Sequence, residues 1–213
     1  WLNGPEDSPE LRRARELRPV VAAADHILDL HSTSQAVAPF WVYPGFDRNA
    51  RAALALGARG GVVTHLVMPA GLGSGTPLIQ HGRHGRDGGA GGVALVAECG
   101  QHFLQSSADC ATAVALDFLA HFGLIDAPPA PPAAAAPPQR RFELLQTCMV
   151  RTPQFRFARP LVGFERFAAG ELVATDGDAG EIRAPCDDCT VLMPTREPIV
   201  GREAVYLCVP LAA

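Results

Sequence analysis

Hydrophobic and polar positions follow two different periods along the first 126 residues of the chain. The segment SPELRRARELRPVVAAAD begins with a serine, a proline and a glutamate, the residues expected at a helix start, and its apolar residues then recur at helical spacing. The short apolar run HILDLH that follows is typical of a strand. This change of period predicts a helix followed by a strand.

Four further segments continue the alternation. DRNARAALALGA indicates a helix and SADCATAVALDFLAHFGL a long amphipathic helix, whereas GVVTHLVM and GGVALVAEC indicate strands. Strands rich in apolar residues are typical of a sheet that is covered on both faces. We therefore predict an α/β fold over residues 1–126, with a mostly parallel or mixed central sheet and helices on both of its faces.

A proline-rich segment separates this part of the chain from the rest. APPAPPAAAAPP has six prolines in twelve residues, which excludes a helix interior or a central strand, so we predict a semi-rigid linker over residues 127–139. After it come short strand-like runs such as ELVATD, TVLMP and AVYLCVPL, divided by glycine, proline and aspartate turns. We predict a small all-β domain over residues 140–213.

The composition is that of a globular protein, with 48% hydrophobic and 19% charged residues among 213. No apolar run is long enough to cross a membrane, and the start of the chain lacks the pattern of a signal peptide. The net charge of −4 and the scattered arginines argue against nucleic acid as a partner. Six scattered cysteines indicate a reducing compartment, so we predict a cytoplasmic protein with neither nucleic-acid nor membrane partners.

All eighteen basic residues of the sequence are arginine. Schiff-base chemistry, a pyridoxal-phosphate anchor, a P-loop and a lipoyl or biotinyl attachment site all require a lysine side chain. The sequence therefore contains none of these sites.

Two polar residues fall where predicted strands end. His31 closes HILDLH, and Glu98 closes VALVAE. Ligands collect at the carboxyl ends of strands in doubly wound sheets, where a partly buried glutamate can act as a general base and a histidine can bind a metal. Asp29 points to the same side of its strand as His31 and could orient the imidazole. On spacing alone, a hydrogen-bonded histidine and a solvated glutamate explain the same pattern.

The segments DLHSTS and LVAECGQHF, which contain these two residues, resemble the core motifs of the succinylglutamate desuccinylase/aspartoacylase family, a branch of the zinc carboxypeptidase-like hydrolases. The helical segment before DLHSTS resembles the helix that precedes the family's metal-binding strand. The segment GEIRAPCDDCTVLMPTREPIVGREAVYL resembles the family's small β domain. The resemblance covers most of the chain.

This resemblance implies a zinc-dependent amidohydrolase that acts on an N-acyl amino acid, typically N-acetylaspartate or N-succinylglutamate. By the same resemblance, His31 is a zinc ligand and Glu98 is the general base that activates water. An acidic substrate needs an arginine fork, for which we favour Arg86 in the glycine-rich loop QHGRHGRDGG, although loop arginines are usually only solvated. Tyr206 lies where the family's β domain offers a tyrosine to the substrate, or it is simply a strand aromatic.

The chain departs from the family pattern in one respect. The family's other two zinc ligands come from an H-x-x-E motif and its substrate-binding residues include an N-R pair, and neither motif precedes the helix here. The resemblance therefore implies an N-terminally truncated chain. Loss of a strand and a helix would expose an apolar sheet edge and favour homo-oligomers.

Two alternatives remain open at this stage. The chain could be a catalytically dead remnant or a binding module with the same fold, or it could be a hydrolase whose metal is held by His31, His81 and His84. The CDDC motif, Cys186 to Cys189, has the spacing of a redox or metal site, but it has no second cysteine pair at zinc-ribbon distance, and a local turn is the favoured interpretation.

Overall fold

The computed structural model describes residues 7–60, 62–69, 76–88, 91–126 and 138–211, with the side chains of residues 58–60 excepted. Most of the predicted proline-rich linker, residues 127–137, lies outside these ranges. The helices are α1 (Pro9–Ala23), α2 (Asp47–Gly60) and α3 (Gln105–His121). The strands are β1 (Ile27–Thr33), β2 (Phe40–Pro44), β3 (Thr64–Met68), β4 (Ala94–Gln101), β5 (Arg140–Met149), β6 (Phe155–Phe157), β7 (Arg166–Phe167), β8 (Leu172–Asp176), β9 (Glu181–Arg183), β10 (Cys189–Leu192) and β11 (Glu203–Leu211).

Eight of these strands form one large mixed sheet, in the order β1-β4-β2-β3-β5-β11-β10-β7. The pairs β1–β4, β2–β3 and β3–β5 are parallel, whereas β2–β4 and the pairs beyond β5 are antiparallel. A second sheet has the order β6-β8-β9. The predicted α/β fold with a mixed sheet is confirmed, and the described residues from 140 onwards form strands, both short (β6, β7, β9) and long (β5, β11).

The helices cover both faces of the sheet, as predicted. On one face, α2 and α3 pack over a buried cluster that includes Trp41, Leu95 and Phe118. On the other face, the C-terminal end of α1 and the short 3-10 helix Leu78–Gln80 pack over a second buried cluster. Apolar residues on both sides of β2 and β4 are therefore removed from water, which explains why these strands read as continuous hydrophobic runs. None of the helices within the described ranges is long and apolar enough to span a membrane.

Helix α1 begins where the sequence predicts. The Ser8 hydroxyl accepts a hydrogen bond from the backbone N–H of Leu11, and Pro9 occupies the first helical position. Of the side chains of this helix, only that of Leu11 is fully buried. The cap therefore fixes the start of a helix that lies largely on the surface.

Strand β2 has no counterpart among the predicted elements. Its five residues, FWVYP, are all buried between β4 and β3 in the large sheet. The aromatic and β-branched residues of this run favour a strand. The run is only five residues long and ends in proline, so the sequence pattern was too weak to predict it. Asn49 of α2 holds this strand to its neighbour, because its side chain donates to the carbonyl of Pro44 and accepts from the N–H of Ala94.

Strand β5 continues the large sheet beyond the proline-rich segment. Its first four residues pair with β3 in parallel, and β11 pairs with it along most of its length. Just before β5, the Gln139 side chain donates to the carbonyl of Leu54 and contacts Nε2 of His65 at 2.6 Å. The large sheet thus contains strands from before residue 126 and, from the C-terminal part of the chain, β5, β7, β10 and β11.

Candidate active site

The parallel pairing of β1 and β4 places His31 directly opposite Glu98 at the carboxyl ends of both strands. Nδ1 of His31 lies 3.6 Å from Oε1 of Glu98. Because parallel strands run in register from their first paired residues, Ile27 and Ala94, the two motifs end at the same edge of the sheet. The structure therefore brings the predicted ligand and the predicted base together.

Asp29 lies on the other side of the imidazole. Its Oδ1 is 3.1 Å from Nε2 of His31, as expected for residues two apart on one strand. The two ring nitrogens of His31 therefore face two different carboxyl groups, with Nε2 towards Asp29 and Nδ1 towards Glu98. The side chain of His31 is 49% exposed, so the ring remains open to solvent and to a ligand.

Glu98 is the buried member of the group, with a side chain that is 7% exposed. Burial raises the pKa of its carboxyl group, the charge of His31 opposes the shift, and that of Asp29 adds to it. Its Oε2 has no hydrogen-bond partner among the described residues. A buried carboxylate with one free oxygen and a raised pKa is better suited than a solvated glutamate to accept and return a proton.

His102 was missed as a site residue by sequence reasoning. Its Nδ1 lies 2.7 Å from the Ser32 hydroxyl, and its backbone N–H donates to the carbonyl of Thr33. The charge of His102 also lowers the pKa of Glu98, although less than burial raises it. The signal was present in the sequence, since ECGQH places a second imidazole four residues after Glu98 and directly beyond the strand end.

Tyr206 faces this edge of the sheet from β11. Burial raises the pKa of its phenol, and the hydrogen bond to Glu203 and the charges of Glu203 and Glu98 raise it further. The phenol donates a 2.6 Å hydrogen bond to Oε2 of Glu203. A pocket of about 170 Å³ lies between Tyr206, the loop after β1 and the loop after β10, and the Gln35 side chain donates to the carbonyl of Pro194 across these two loops. The structure thus places Tyr206 beside the loop that follows the strand of His31, near enough for the charge of Glu98 to affect its pKa.

Arg86 lies at the opposite end of β4. The guanidinium of Arg48 donates to the carbonyl of Arg86 at 2.7 Å and to that of Gly92 at 3.0 Å, so the backbone of Arg86 is anchored beside Gly92. Glu98 is six residues further along the extended chain, which corresponds to about 20 Å at ~3.3 Å per residue. That distance exceeds the reach of an arginine side chain, so the structure does not bring Arg86 to the predicted site.

The alternative metal set of His31, His81 and His84 is not brought together either. His84 is fully buried, and its ring lies so close to Gly92 that a Cβ on this glycine would come within 2.7 Å of it. This position is at the same end of β4 as Arg86, far from His31. The ring nitrogens of His84 have no hydrogen-bond partner among the described residues.

The described residues supply only part of a zinc site. A catalytic zinc takes three protein ligands, and no group of three His, Cys, Asp or Glu side chains within the described ranges could hold a metal ion. His31 offers one neutral imidazole. The described residues therefore provide fewer ligands than a catalytic zinc ion needs.

Comparison with known proteins gives a consistent picture of the fold. No family model matches the sequence, and the search of curated proteins found no match. Among solved structures, succinylglutamate desuccinylase from Vibrio parahaemolyticus is similar over 99% of this chain, with a TM-score of 0.70 and 19% identity. The enzyme of the same name from Vibrio cholerae gives a TM-score of 0.70 and 18% identity over 98% of this chain.

A succinylglutamate desuccinylase/aspartoacylase from Rhodobacter sphaeroides gives a TM-score of 0.63 and 19% identity over 99% of this chain. The chain spans 63%, 62% and 66% of the lengths of these three structures, which is less than two thirds of each. The resemblance seen in the DLHSTS and LVAECGQHF motifs thus extends to the fold of almost every residue. This chain has the fold of the succinylglutamate desuccinylase/aspartoacylase family.

Proposed function

We propose that this chain belongs to a hydrolase that cleaves the amide bond of an N-acyl amino acid. The observation that carries the proposal is the pairing of the buried Glu98 carboxylate with His31 at one edge of a sheet whose fold is that of desuccinylases and aspartoacylases. A fold hosts many functions, so the argument rests on the site residues rather than on the fold alone.

Glu98 is the proposed general base. Its free carboxylate oxygen takes a proton from the water that attacks the acyl carbonyl, and the same oxygen then returns the proton to the leaving amine nitrogen. The pKa of Glu98, raised by burial, favours both steps because the group binds a proton more readily than a solvated glutamate would. Its position beside the open ring of His31 leaves room for a substrate on the solvent side.

Zinc is part of this proposal, with His31 as one ligand. A bound zinc would polarise the substrate carbonyl and acidify a water molecule. Asp29 contacts Nε2 of His31, so Nδ1 is the nitrogen that would be offered to the metal.

Tyr206 is the proposed substrate-binding residue. Its pKa, raised by burial and by neighbouring carboxylates, keeps the phenol protonated, and its O–H would turn from Glu203 to donate to a substrate oxygen. The pocket beside it is bounded by side chains of both polar and apolar character, including Ser34, Val37 and Thr195. Arg86 has no role in this proposal because it lies at the other end of β4.

A binding module is the second candidate function, and the incomplete set of metal ligands favours it. Such a protein would hold N-acyl amino acids in the Tyr206 pocket without cleaving them. The two candidates differ in the fate of the bound molecule and in the role of Glu98.

Hydrolysis and binding should therefore be measured on the same samples. We would incubate the chain and its Glu98→Gln and Glu16→Gln variants with zinc and either N-acetylaspartate or N-succinylglutamate, following release of the free amine. The proposal requires release by the parent chain, a loss of about 100-fold or more in Glu98→Gln, and no change in Glu16→Gln, whose carboxylate is exposed on α1. Binding without release would favour the binding module, and neither binding nor release would contradict both.

Zinc content gives an independent measurement. Elemental analysis of the chain and of His31→Ala, purified without chelators, should show metal that disappears in the variant. Equal zinc in both proteins would contradict the ligand role of His31.

A further inference from the structure

The pocket beside Tyr206 combines an apolar side with a single acidic residue, Glu203, among the described residues that line it. The remaining polar side chains of this lining are hydroxyls and one amide, and none of the described lining residues is basic. An acidic group of a ligand would therefore find no arginine fork in this lining. The apolar side is formed by four residues, Val37, Val162, Met193 and Pro194.

The carboxylate of Glu203 has one oxygen that is open to a ligand. Its Oε2 accepts the hydrogen bond from the phenol of Tyr206 at 2.6 Å, and within the described ranges the carboxylate makes no second hydrogen bond and no ion pair. Glu203 is also exposed, so a molecule that enters the pocket from solvent can contact it. Its Oε1 can therefore accept a hydrogen bond from a bound ligand.

Most side-chain donors of the pocket already donate to protein oxygens. The hydroxyls of Thr33 and Thr195 each donate to the backbone carbonyl two residues further along the chain. The amide of Gln35 donates one hydrogen bond to a backbone carbonyl across the pocket, and the phenol of Tyr206 donates to a carboxylate. Among the described lining side chains, the hydroxyl of Ser34 is the one without such a bond. The pocket therefore offers mainly acceptors, which suit a ligand group that donates hydrogen bonds.

The proposed action of Tyr206 strengthens this preference. When its O–H turns to a substrate oxygen, the carboxylate of Glu203 loses its hydrogen-bond donor. A ligand ammonium group would replace this donor and supply the opposite charge, whereas a ligand carboxylate would meet a like charge. Binding through Tyr206 is therefore most favourable for a ligand that is cationic near Glu203.

We propose that Glu203 selects N-acyl amino acids whose aliphatic side chain ends in an ammonium group, as in acylated ornithine or lysine. This inference rests on the proposed hydrolase function and names its substrate class. The apolar side of the pocket contacts the methylenes, and Glu203 binds the ammonium. Thr33 of the pocket lies two residues after His31, or about 7 Å at ~3.3 Å per residue, which a side chain of three or four methylenes can bridge. Acidic N-acyl amino acids would bind with a larger Kd.

Isothermal titration of the full chain with matched ligands tests this selection, and release of the free amine is followed in the same samples. Nα-acetylornithine and Nα-acetylnorleucine have side chains of equal length that end in an ammonium and a methyl group. Nα-acetyllysine is one methylene longer, and Nα-acetylglutamate ends in a carboxylate. We expect the Kd of the better ammonium ligand to be about fivefold below that of Nα-acetylnorleucine, and Nα-acetylglutamate to bind most weakly. This preference should shrink at high salt because Glu203 is exposed.

Two variants separate the carboxylate of Glu203 from other charges. Glu203→Gln keeps an oxygen that accepts from Tyr206 but removes the charge, so the ammonium ligands should bind about fivefold more weakly and Nα-acetylnorleucine should bind as before. Glu197→Gln removes the charge of an exposed residue of the neighbouring loop that is not among the described lining residues, and it should leave every Kd unchanged.

The outcomes distinguish this selection from the hydrolase function itself. Equal or tighter binding of Nα-acetylnorleucine or Nα-acetylglutamate by the parent chain, relative to both ammonium ligands, would overturn the selection. Equal effects of Glu203→Gln and Glu197→Gln would overturn it as well. Faster amine release from Nα-acetylglutamate would overturn the selection but support the hydrolase. Preferred binding of an ammonium ligand without amine release from any ligand would support the selection and contradict hydrolysis. The measurements on the parent chain decide this even if Glu203→Gln does not fold.

Discussion

The phenol of Tyr206 donates to a carboxylate oxygen of Glu203, three residues earlier on the same strand, at 2.6 Å. In a regular strand, residues three apart point to opposite faces and cannot meet in this way. The pairing of β11 with β5 shifts its register between Glu203 and Val205, as in a β-bulge, and this irregularity brings the two side chains to one side. A strand irregularity therefore positions the tyrosine that faces the candidate site.

Tyr206→Phe should weaken the binding of N-acyl amino acids without unfolding the protein. The variant removes one hydrogen-bond donor from the pocket, which corresponds to about a tenfold rise in Kd, while exposed Glu203 regains water as a partner. Isothermal titration of the variant and of Tyr43→Phe measures this. Tyr43 is buried near the end of β2 farthest from Glu98, so its variant should bind like the parent. Equal weakening in both would contradict a role specific to Tyr206.

Glu98→Gln should stabilise the protein at neutral and higher pH. The raised pKa means that the folded state binds a proton at Glu98 more tightly than the unfolded state does, so ionisation costs stability as the pH rises through the folded-state pKa. A neutral glutamine avoids this cost. We expect the variant to have the larger free energy of unfolding at about pH 8, with a difference that grows as the pH rises above 4.5.

The pH dependence provides the control for this prediction. Below the ordinary glutamate value of 4.5, Glu98 is protonated in both folded and unfolded states, so the gain should disappear there. Urea unfolding at several pH values measures it. A gain that persists unchanged at acid pH would mean that packing, rather than ionisation, is responsible.

His65 should make the protein less stable as the pH falls from 6.5 towards 4. Burial lowers its pKa from 6.5 to about 4, so the unfolded state binds a proton in this range that the folded state does not. Above pH 6.5 the neutral ring costs the folded state nothing. As the pH falls to about 4, the free energy of unfolding decreases by at most about 3 kcal/mol. In the His65→Gln variant, the free energy of unfolding should change little with pH over this range. Acid unfolding monitored by circular dichroism measures this. His121→Gln, at an exposed site, should leave the pH dependence intact.

Asn49→Ala should be among the more damaging substitutions outside the candidate site. The side chain is fully buried and satisfies the carbonyl of Pro44 and the N–H of Ala94 at 3.0 Å each. Alanine would leave the N–H of Ala94 without this acceptor and the carbonyl of Pro44 with the N–H of Phe46 as its remaining donor, at a cost of about 1–3 kcal/mol in unfolding free energy. Gln105→Ala removes an exposed side-chain hydrogen bond to Asp109 and should change the stability by less than about 0.5 kcal/mol in the same urea titration. Similar losses in both variants would contradict the bridging role of Asn49.

Local pattern was sufficient to predict the three helices and most of the strands. Helix caps and apolar periodicity are properties of neighbouring residues, and the cap at Ser8 illustrates this. The convergence of His31 and Glu98 was also predictable, because both residues end strands that belong to one predicted sheet. The family resemblance of the surrounding motifs then gave these two residues their proposed roles.

Features that depend on distant parts of the chain could not be predicted. Arg86 is close to Glu98 in sequence, yet the hydrogen bonds of Arg48 to its carbonyl and to that of Gly92 hold it at the wrong end of β4. The bulge before Tyr206 arises from the pairing of β11 with β5, and the sequence REAVYL contains no residue that predicts a bulge. Sequence spacing measures distance along the chain, whereas these contacts depend on which strands are neighbours.

The pairing of β5 with β3 determines how the candidate site can move. A swing of the C-terminal strands away from the rest would break the backbone hydrogen bonds of the four paired positions from Thr64–Arg140 to Val67–Glu143. The sheet therefore resists hinge opening, and the wall of the pocket that carries Tyr206 stays in register with the edge that carries Glu98. We expect the pocket beside Tyr206 to keep a nearly constant width, so that side-chain rotation, rather than closure of one domain upon another, would admit a ligand.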